Sequence, residues 1–214
     1  MTTLRLVTNC TKAKIKTDDP VAVKDLYTGL GHKFVKQGVK EAKKLEVQWV
    51  IMSALHGYMP SAKKLLPYDF TFVGQPKRKM KHFKVAHTVN REMLQSFLRR
   101  PPTPDLQIVG MSKAYHLVFG IEERPPVANT IVVGPPNVLK PLRQYSNIAV
   151  LMSDPVLASC GLGTNLVGLT GKLTQLMIKG CVLYGPNVHW HNVKNLTQKT
   201  KLMYLKDIHN AKYK

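Results

Sequence analysis

Five short apolar runs limit what this chain can become: "LRLVTN" at 4–9, "VQWVIM" at 47–52, "LQIVGM" at 106–111, "TIVVG" at 130–134 and "NIAVLM" at 147–152. Each is too short for a core helix, and apolar residues fall on both faces, as in strands covered on both sides. The segments between them have apolar residues at helical spacing. "VAVKDLYTGLGHKFVKQGVKEAKKL" (21–45) reads as helix broken by Gly29 and Gly31. Residues 76–100 read as one long helix that starts at Pro76 and stops at Pro101-Pro102; shorter helices fall at 112–120 and 163–180. Strands alternating with helices predict an α/β fold, a mostly parallel sheet flanked by helices. The expectation is a single domain over 1–187 with a basic helical segment, followed by a basic C-terminal tail over 188–214.

In such sheets ligands bind beyond the carboxyl ends of the strands. That rule points to the loops at 9–19, 53–71, 110–115 and 134–137. Charge narrows the ligand. Thirty-two Lys and Arg against twelve Asp and Glu give a net charge of +20. An excess of this size is self-repelling, and its usual counterpart is a polyanion. The partner predicted here is nucleic acid, most concretely double-stranded DNA. A ribosomal-type structural role is the bland alternative. No membrane is expected, because no apolar run approaches the roughly 18 residues of a span. The start "MTTLRLVTNC" enters a strand directly, without a secretory pattern, which predicts a cytoplasmic protein. Three widely spaced cysteines, Cys10, Cys160 and Cys181, make neither a disulfide framework nor a zinc knuckle.

The loops carry the candidate chemistry. After the first run come Asn9, Cys10, Thr11, Lys12 and Lys14, which offer amides, a hydroxyl and ammonium groups to an anion. Lys12 is the candidate for a phosphate contact or a Schiff-base amine. Asp25 and Tyr27 follow in "DLYTG"; Asp25 reads equally well as a helix-terminal charge. "MSALHGYMPSAKKLLPYDFTF" (52–72) adds Ser53, His56, Tyr68 and Asp69. Ser53 and His56 lack a nucleophile elbow, so they read as ligand-binding rather than acyl-transfer groups. Asp69, beside Leu66, Phe70 and Phe72, is expected to be partly desolvated with a raised pKa, or else to cap a turn. "KRKMKHFK" (77–84) places Lys77, Arg78, Lys79, Lys81 and Lys84 at a helix start, where cations oppose the dipole, and so reads as a phosphate-contacting face. His189 and His191 flank Trp190 with no third ligand in reach, so no metal is expected. Glycines at 161 and 163 ahead of a helix are a weak phosphate seat.

The order N-C-T-K-x-K, D-L-Y-T-G, S-A-x-H-G-Y and P-Y-D-x-T, over about residues 4–72, resembles an uncharacterised bacterial and phage domain family. That family is distantly similar to the YaaA-like peroxide-stress DNA-binding proteins. The resemblance implies a nucleic-acid connection and gathers Cys10, Lys12, Tyr27, Ser53, His56 and Asp69 into one pocket. The function expected is a DNA-acting N-glycosidase that flips a damaged or modified base and excises it. Asp69, with Asp25 as substitute, would stabilise the sugar cation or direct a water. Asn9, Cys10, Tyr27, Ser53, His56 and Tyr68 would hold the base. No cofactor is expected. A non-catalytic nucleic-acid-binding protein is the second reading, and a base-modifying transferase the third.

Overall fold

The computed structural model describes residues 2–121, 124–159, 161, 162, 164 and 168–212, without the side chains of Lys77, Gln198 and Lys199. The five apolar runs are its five parallel strands: β1 (Thr2–Asn9), β3 (Leu45–Ser53), β6 (Leu106–Gly110), β7 (Thr130–Gly134) and β8 (Ile148–Met152). A hairpin adds β4 (Gly57–Pro60) antiparallel at one edge, where the sequence reads as loop. The sheet order is β4-β3-β1-β6-β7-β8. Two further strands, β2 (Val21–Ala22) and β5 (Lys64–Leu65), pair as a separate short ribbon. The chain is therefore a single α/β domain.

The order matters more than the content. The chain leaves β1 towards β3 through α1 (Val23–Leu26) and α2 (Leu30–Glu41), then crosses to β6 on the other side of β1. That second crossing uses α3 (Lys77–Ala86) and α4 (Thr88–Arg99). The remaining crossings use α5 (Lys113–Phe119) and α6 (Pro136–Leu139), the latter followed by a 3-10 turn. Right-handed crossovers put α2 on one face of the sheet and α4 to α6 on the other. The boundary between β1 and β6 is thus the topological switch point, where parallel sheets open a crevice.

Alternation along β1 follows the same division. Thr8 accepts a hydrogen bond from Trp49 Nε1 at 2.9 Å, and His32 of α2 stacks on Trp49 at 5.3 Å. Arg5 points to the other face and lies over Phe97 of α4. After β8 come α7 (Pro155–Ser159) and α8 (Leu169–Tyr184). The second of these packs along α2 and over β6 and β7.

Two sequence readings are corrected. The single helix over 76–100 is two helices that meet at buried His87. Its Nε2 donates to Ala54 O at 2.9 Å, leaving Nδ1 to accept from Asn90 Nδ2 at 3.2 Å. Tertiary demand for that bridge ends the first helix in a stretch without Pro or Gly. The segment from 188 is not a tail: α9 (Pro186–Asn195) and α10 (Gln198–Asn210) bury Trp190, Val193, Leu205 and Ile208. Lys194 in it serves the fold, since its Nζ donates to Tyr145 O at 3.0 Å and Ile148 O at 2.6 Å. His189 is fully buried against Tyr204, and His191 is exposed. Expectations on Cys160 and Gly163 fall outside the described residues. Among the described residues no helix is long and apolar enough to cross a membrane, and no cluster of groups could hold a metal ion.

Burial lowers the pKa of His116 to about 4 and of His189 to about 3, against 6.5 unfolded. Between those values and 6.5 the unfolded chain binds more protons than the folded one. Stability is therefore full above pH 6.5 and is lost as pH falls towards 4. His116 alone contributes about 3 kcal/mol at 1.36 kcal/mol per unit. Urea titrations should show unfolding free energy dropping by several kcal/mol from pH 7 to pH 4. A constant value over that range would mean that water reaches these rings.

Candidate functional site

The loops that follow β1 and β3 meet in a part-buried cluster of hydroxyl groups. Tyr68 OH lies 2.6 Å from Tyr27 OH and 2.6 Å from Ser53 Oγ. Ser53 Oγ also accepts from the backbone N–H of Leu55 (3.2 Å) and His56 (3.0 Å). With both lone pairs of Ser53 engaged, its proton is directed at Tyr68. Cys10 Sγ sits 2.8 Å from Tyr115 OH. Burial pushes the Tyr27, Tyr68 and Tyr115 hydroxyls well above the ordinary tyrosine value, so all three stay neutral. Lys14 caps the cluster with Nζ 4.4 Å from the centre of the Tyr68 ring; burial lowers its pKa, while Cys10 and Asp69 pull it up.

Local sequence builds this arrangement. Gly57 has φ of 70°, and a Cβ there would collide with Asn90, so S-A-L-H-G is a tight hairpin pinned to α4. Tyr58 N donates to Asn90 Oδ1 at 3.0 Å. Phe72, fully buried, packs on Tyr115 at 4.9 Å and on Phe83 at 5.0 Å, which fixes the chain after Asp69.

Beside the cluster, at the carboxyl ends of β1 and β6, lies a cavity of about 340 Å3. Thr8 to Ala13 line it, together with neighbouring Gly110 and Ser112. The first turns of α2 (Gly29 to His32) and α8 (Thr170, Gly171) close it. Cys10 belongs to both cavity and cluster. A second groove of about 350 Å3, lined by Phe72, Val73, Met80, Lys113 and Leu117 among others, shares Val73 and Ser112 with the first.

The structure thus brings Asn9, Cys10 and Lys12 to the cavity, and Tyr27, Ser53 and Tyr68 to the adjoining cluster. Asn9 does positioning work, its Oδ1 accepting from Ser112 N at 2.8 Å. His56 is exposed; its ring meets Tyr68 edge-on at 4.8 Å, and only its backbone N–H reaches Ser53. No Ser–His dyad exists. The expectation of a desolvated Asp69 is corrected: the residue is exposed, because Tyr68 and Phe70 turn inward on either side of it. Asp25 is held 2.6 Å from Lys36 in a half-exposed ion pair and does not line the cavity. On α3, Arg78, Lys79 and Lys81 are exposed and Lys84 is half-buried, while Met80 between them is a wall of the groove. The side chain of Lys77 falls outside the description.

Sequence reasoning missed His32, Thr170 and Gly171. Their signal was an amphipathic helix and a glycine within a helix, which ordinarily mean packing. Against protein-family models, curated proteins and solved structures, the chain finds no match.

Tyr68→Phe deletes the hub of the cluster and leaves Tyr27 and Ser53 without their shared partner. The cost should be about 2 kcal/mol, from lost hydrogen bonds and newly unsatisfied buried groups. Urea unfolding of the variant checks this, and a change below a few tenths would show that the hydroxyls are already solvated.

Proposed function

We propose that this protein binds nucleic acid through α3 and acts on an extruded nucleotide at the carboxyl ends of β1, β3 and β6, most concretely as a DNA base N-glycosidase. The observation that carries the reading is a switch-point cavity joined, through Cys10, to a cluster of neutral hydroxyl donors in a chain of net charge +20. Arg78, Lys79 and Lys81 present an exposed row of cations where α3 borders the groove beside that cavity. Phosphate contacts of this kind hold a strand in register without reading its sequence.

The chemistry asked of the site is modest. Breaking an N-glycosidic bond builds positive charge on the sugar, and the carboxylate that would face it is exposed Asp69, which follows Tyr68 and acts electrostatically on Lys14. Bound nucleic acid would cover this exposed group and strengthen its field. With the Ser53 proton held by Tyr68, the one free hydroxyl proton of the Tyr27–Tyr68 pair would be donated to the departing base. The resemblance of the motif order over about residues 4–72 to a domain family distantly similar to the YaaA-like proteins supports the same reading. Buried free thiols at Cys10 and Cys181 suit a reducing, cytoplasmic setting. A non-catalytic nucleic-acid-binding protein is the second reading, favoured by the exposure of Asp69 and the ion pair at Asp25.

Two variants separate the readings. Combined Arg78→Ala, Lys79→Ala and Lys81→Ala should weaken duplex binding and lower the slope of log K against log salt by about 3. Asp69→Asn should fold and bind as wild type, yet release base from modified DNA at least ~1000-fold more slowly, as for loss of transition-state charge stabilisation. Tight binding with no base released from any substrate by wild type would establish the binding protein instead.

A further inference from the structure

The switch-point cavity has features that neither base excision nor duplex binding requires. The first turns of α2 and α8 lie side by side at its wall because Gly31 and Gly171 touch; a Cβ on Gly171 would fall on the backbone of Gly31. These helices have 12 and 16 residues, and both begin at a glycine N-cap, Gly29 and Gly168, which has no side chain of its own to fold back on the first turn. Two sets of first-turn N–H groups and two positive dipole ends therefore converge on one space. Lys12 adds a full charge at the rim.

Side chains in the wall are left unsatisfied. His32 is 3% exposed and lines the cavity; its Nε2 donates to Lys24 O at 2.8 Å, while Nδ1 is buried with no partner. Burial lowers the pKa of this imidazole, so the ring is neutral and Nδ1 is an acceptor lacking a donor. Ser112 Oγ, between cavity and groove, is also buried without a partner. The groove beyond it is apolar, with Val73 60% exposed and Leu117 39% exposed over buried Phe72 and Met80.

We propose that the cavity is a phosphate seat and the adjoining groove a base seat, so that a nucleotide phosphomonoester lies across Ser112 and Val73. The phosphate rests on the paired N-termini of α2 and α8 with Lys12 above it. A sugar hydroxyl donates to His32 Nδ1, and the base covers Val73 and Leu117. Only the identification of the ligand as a nucleotide rests on the function proposed above. The anion seat stands on the cavity alone. Two sources offer this chemistry: a free mononucleotide and the phosphorylated end of a strand.

Calorimetric titration of the full chain with AMP, adenosine and inorganic phosphate, without DNA, tests the assignment. AMP should bind in the submillimolar range and adenosine at least tenfold more weakly. Lys12→Ala and His32→Phe should each weaken AMP at least fivefold, while Lys206→Ala, an exposed cation on α10, leaves affinity unchanged. Lys12 is solvent-facing, so that variant stays informative if His32→Phe fails to fold. A 5′-phosphorylated dinucleotide that displaces AMP better than its 5′-hydroxyl form assigns the seat to strand ends; equal displacement assigns it to free nucleotides, and either result upholds it. Adenosine binding as tightly as AMP, or Lys206→Ala losing as much as Lys12→Ala, overturns the seat. If AMP fails while duplex DNA still binds and loses base, the seat falls and the enzyme stands. AMP binding without any duplex binding gives the reverse.

Discussion

The contact of Gly31 with Gly171 holds together two helices whose positive ends point the same way. Parallel dipoles side by side repel. The arrangement persists because the rest of both helices packs closely. Gly38 admits Gln175, and Gly110 of β6 lets Thr174 sit directly on the sheet. Removing Cβ atoms at these points brings α2, α8 and β6 together, and the cavity forms where that packing ends. Stability from the body of the helices thus offsets an electrostatic penalty at their tips, which an anion would relieve.

A second balance operates on the neighbouring loop. Tyr27, Tyr68, Tyr115, Ser53 and Cys10 place polar atoms in a region enclosed by Phe72, Phe83 and Phe119. Such groups are tolerated when bonded to one another, and each pairs within the cluster. The same bonds keep the hydroxyls oriented, and burial keeps the tyrosines neutral, which makes them donors rather than nucleophiles. This is why the geometry disfavours attack on a carbonyl, despite a Ser and a His three residues apart.

The charge of the chain divides into two uses. Lys179 turns its ammonium group onto His209 O in the last turn of α10, where cations are favoured, and Lys194 turns its own onto Tyr145 O and Ile148 O at the entry to β8. Among the described residues only Lys36 and Asp25 make an ion pair within 4 Å. The exposed cations of α3 cap nothing and oppose their own helix dipole. Net charge alone does not separate these uses, and both look alike in composition.

Residue pattern alone determined the five buried strands, the parallel sheet and the loops at its carboxyl ends, because doubly apolar runs have few other ways to be covered. It also marked Asn9, Cys10, Lys12, Tyr27, Ser53 and Tyr68, since polar side chains just beyond such strands fall on one edge. Tertiary structure decided what local pattern does not encode. The break at His87 answers to Ala54, 33 residues away, and the basic segment from 188 is helical because Trp190 and Val193 find a core to cover. Asp69 faces water and Asp25 faces Lys36 because their neighbours are drawn inward, an outcome set by the whole fold. Most of all, the pairing of α2 with α8 joins residues 140 apart in sequence, Gly31 and Gly171. Only the strand order, with β1 between β3 and β6, carries both N-termini to the same crevice.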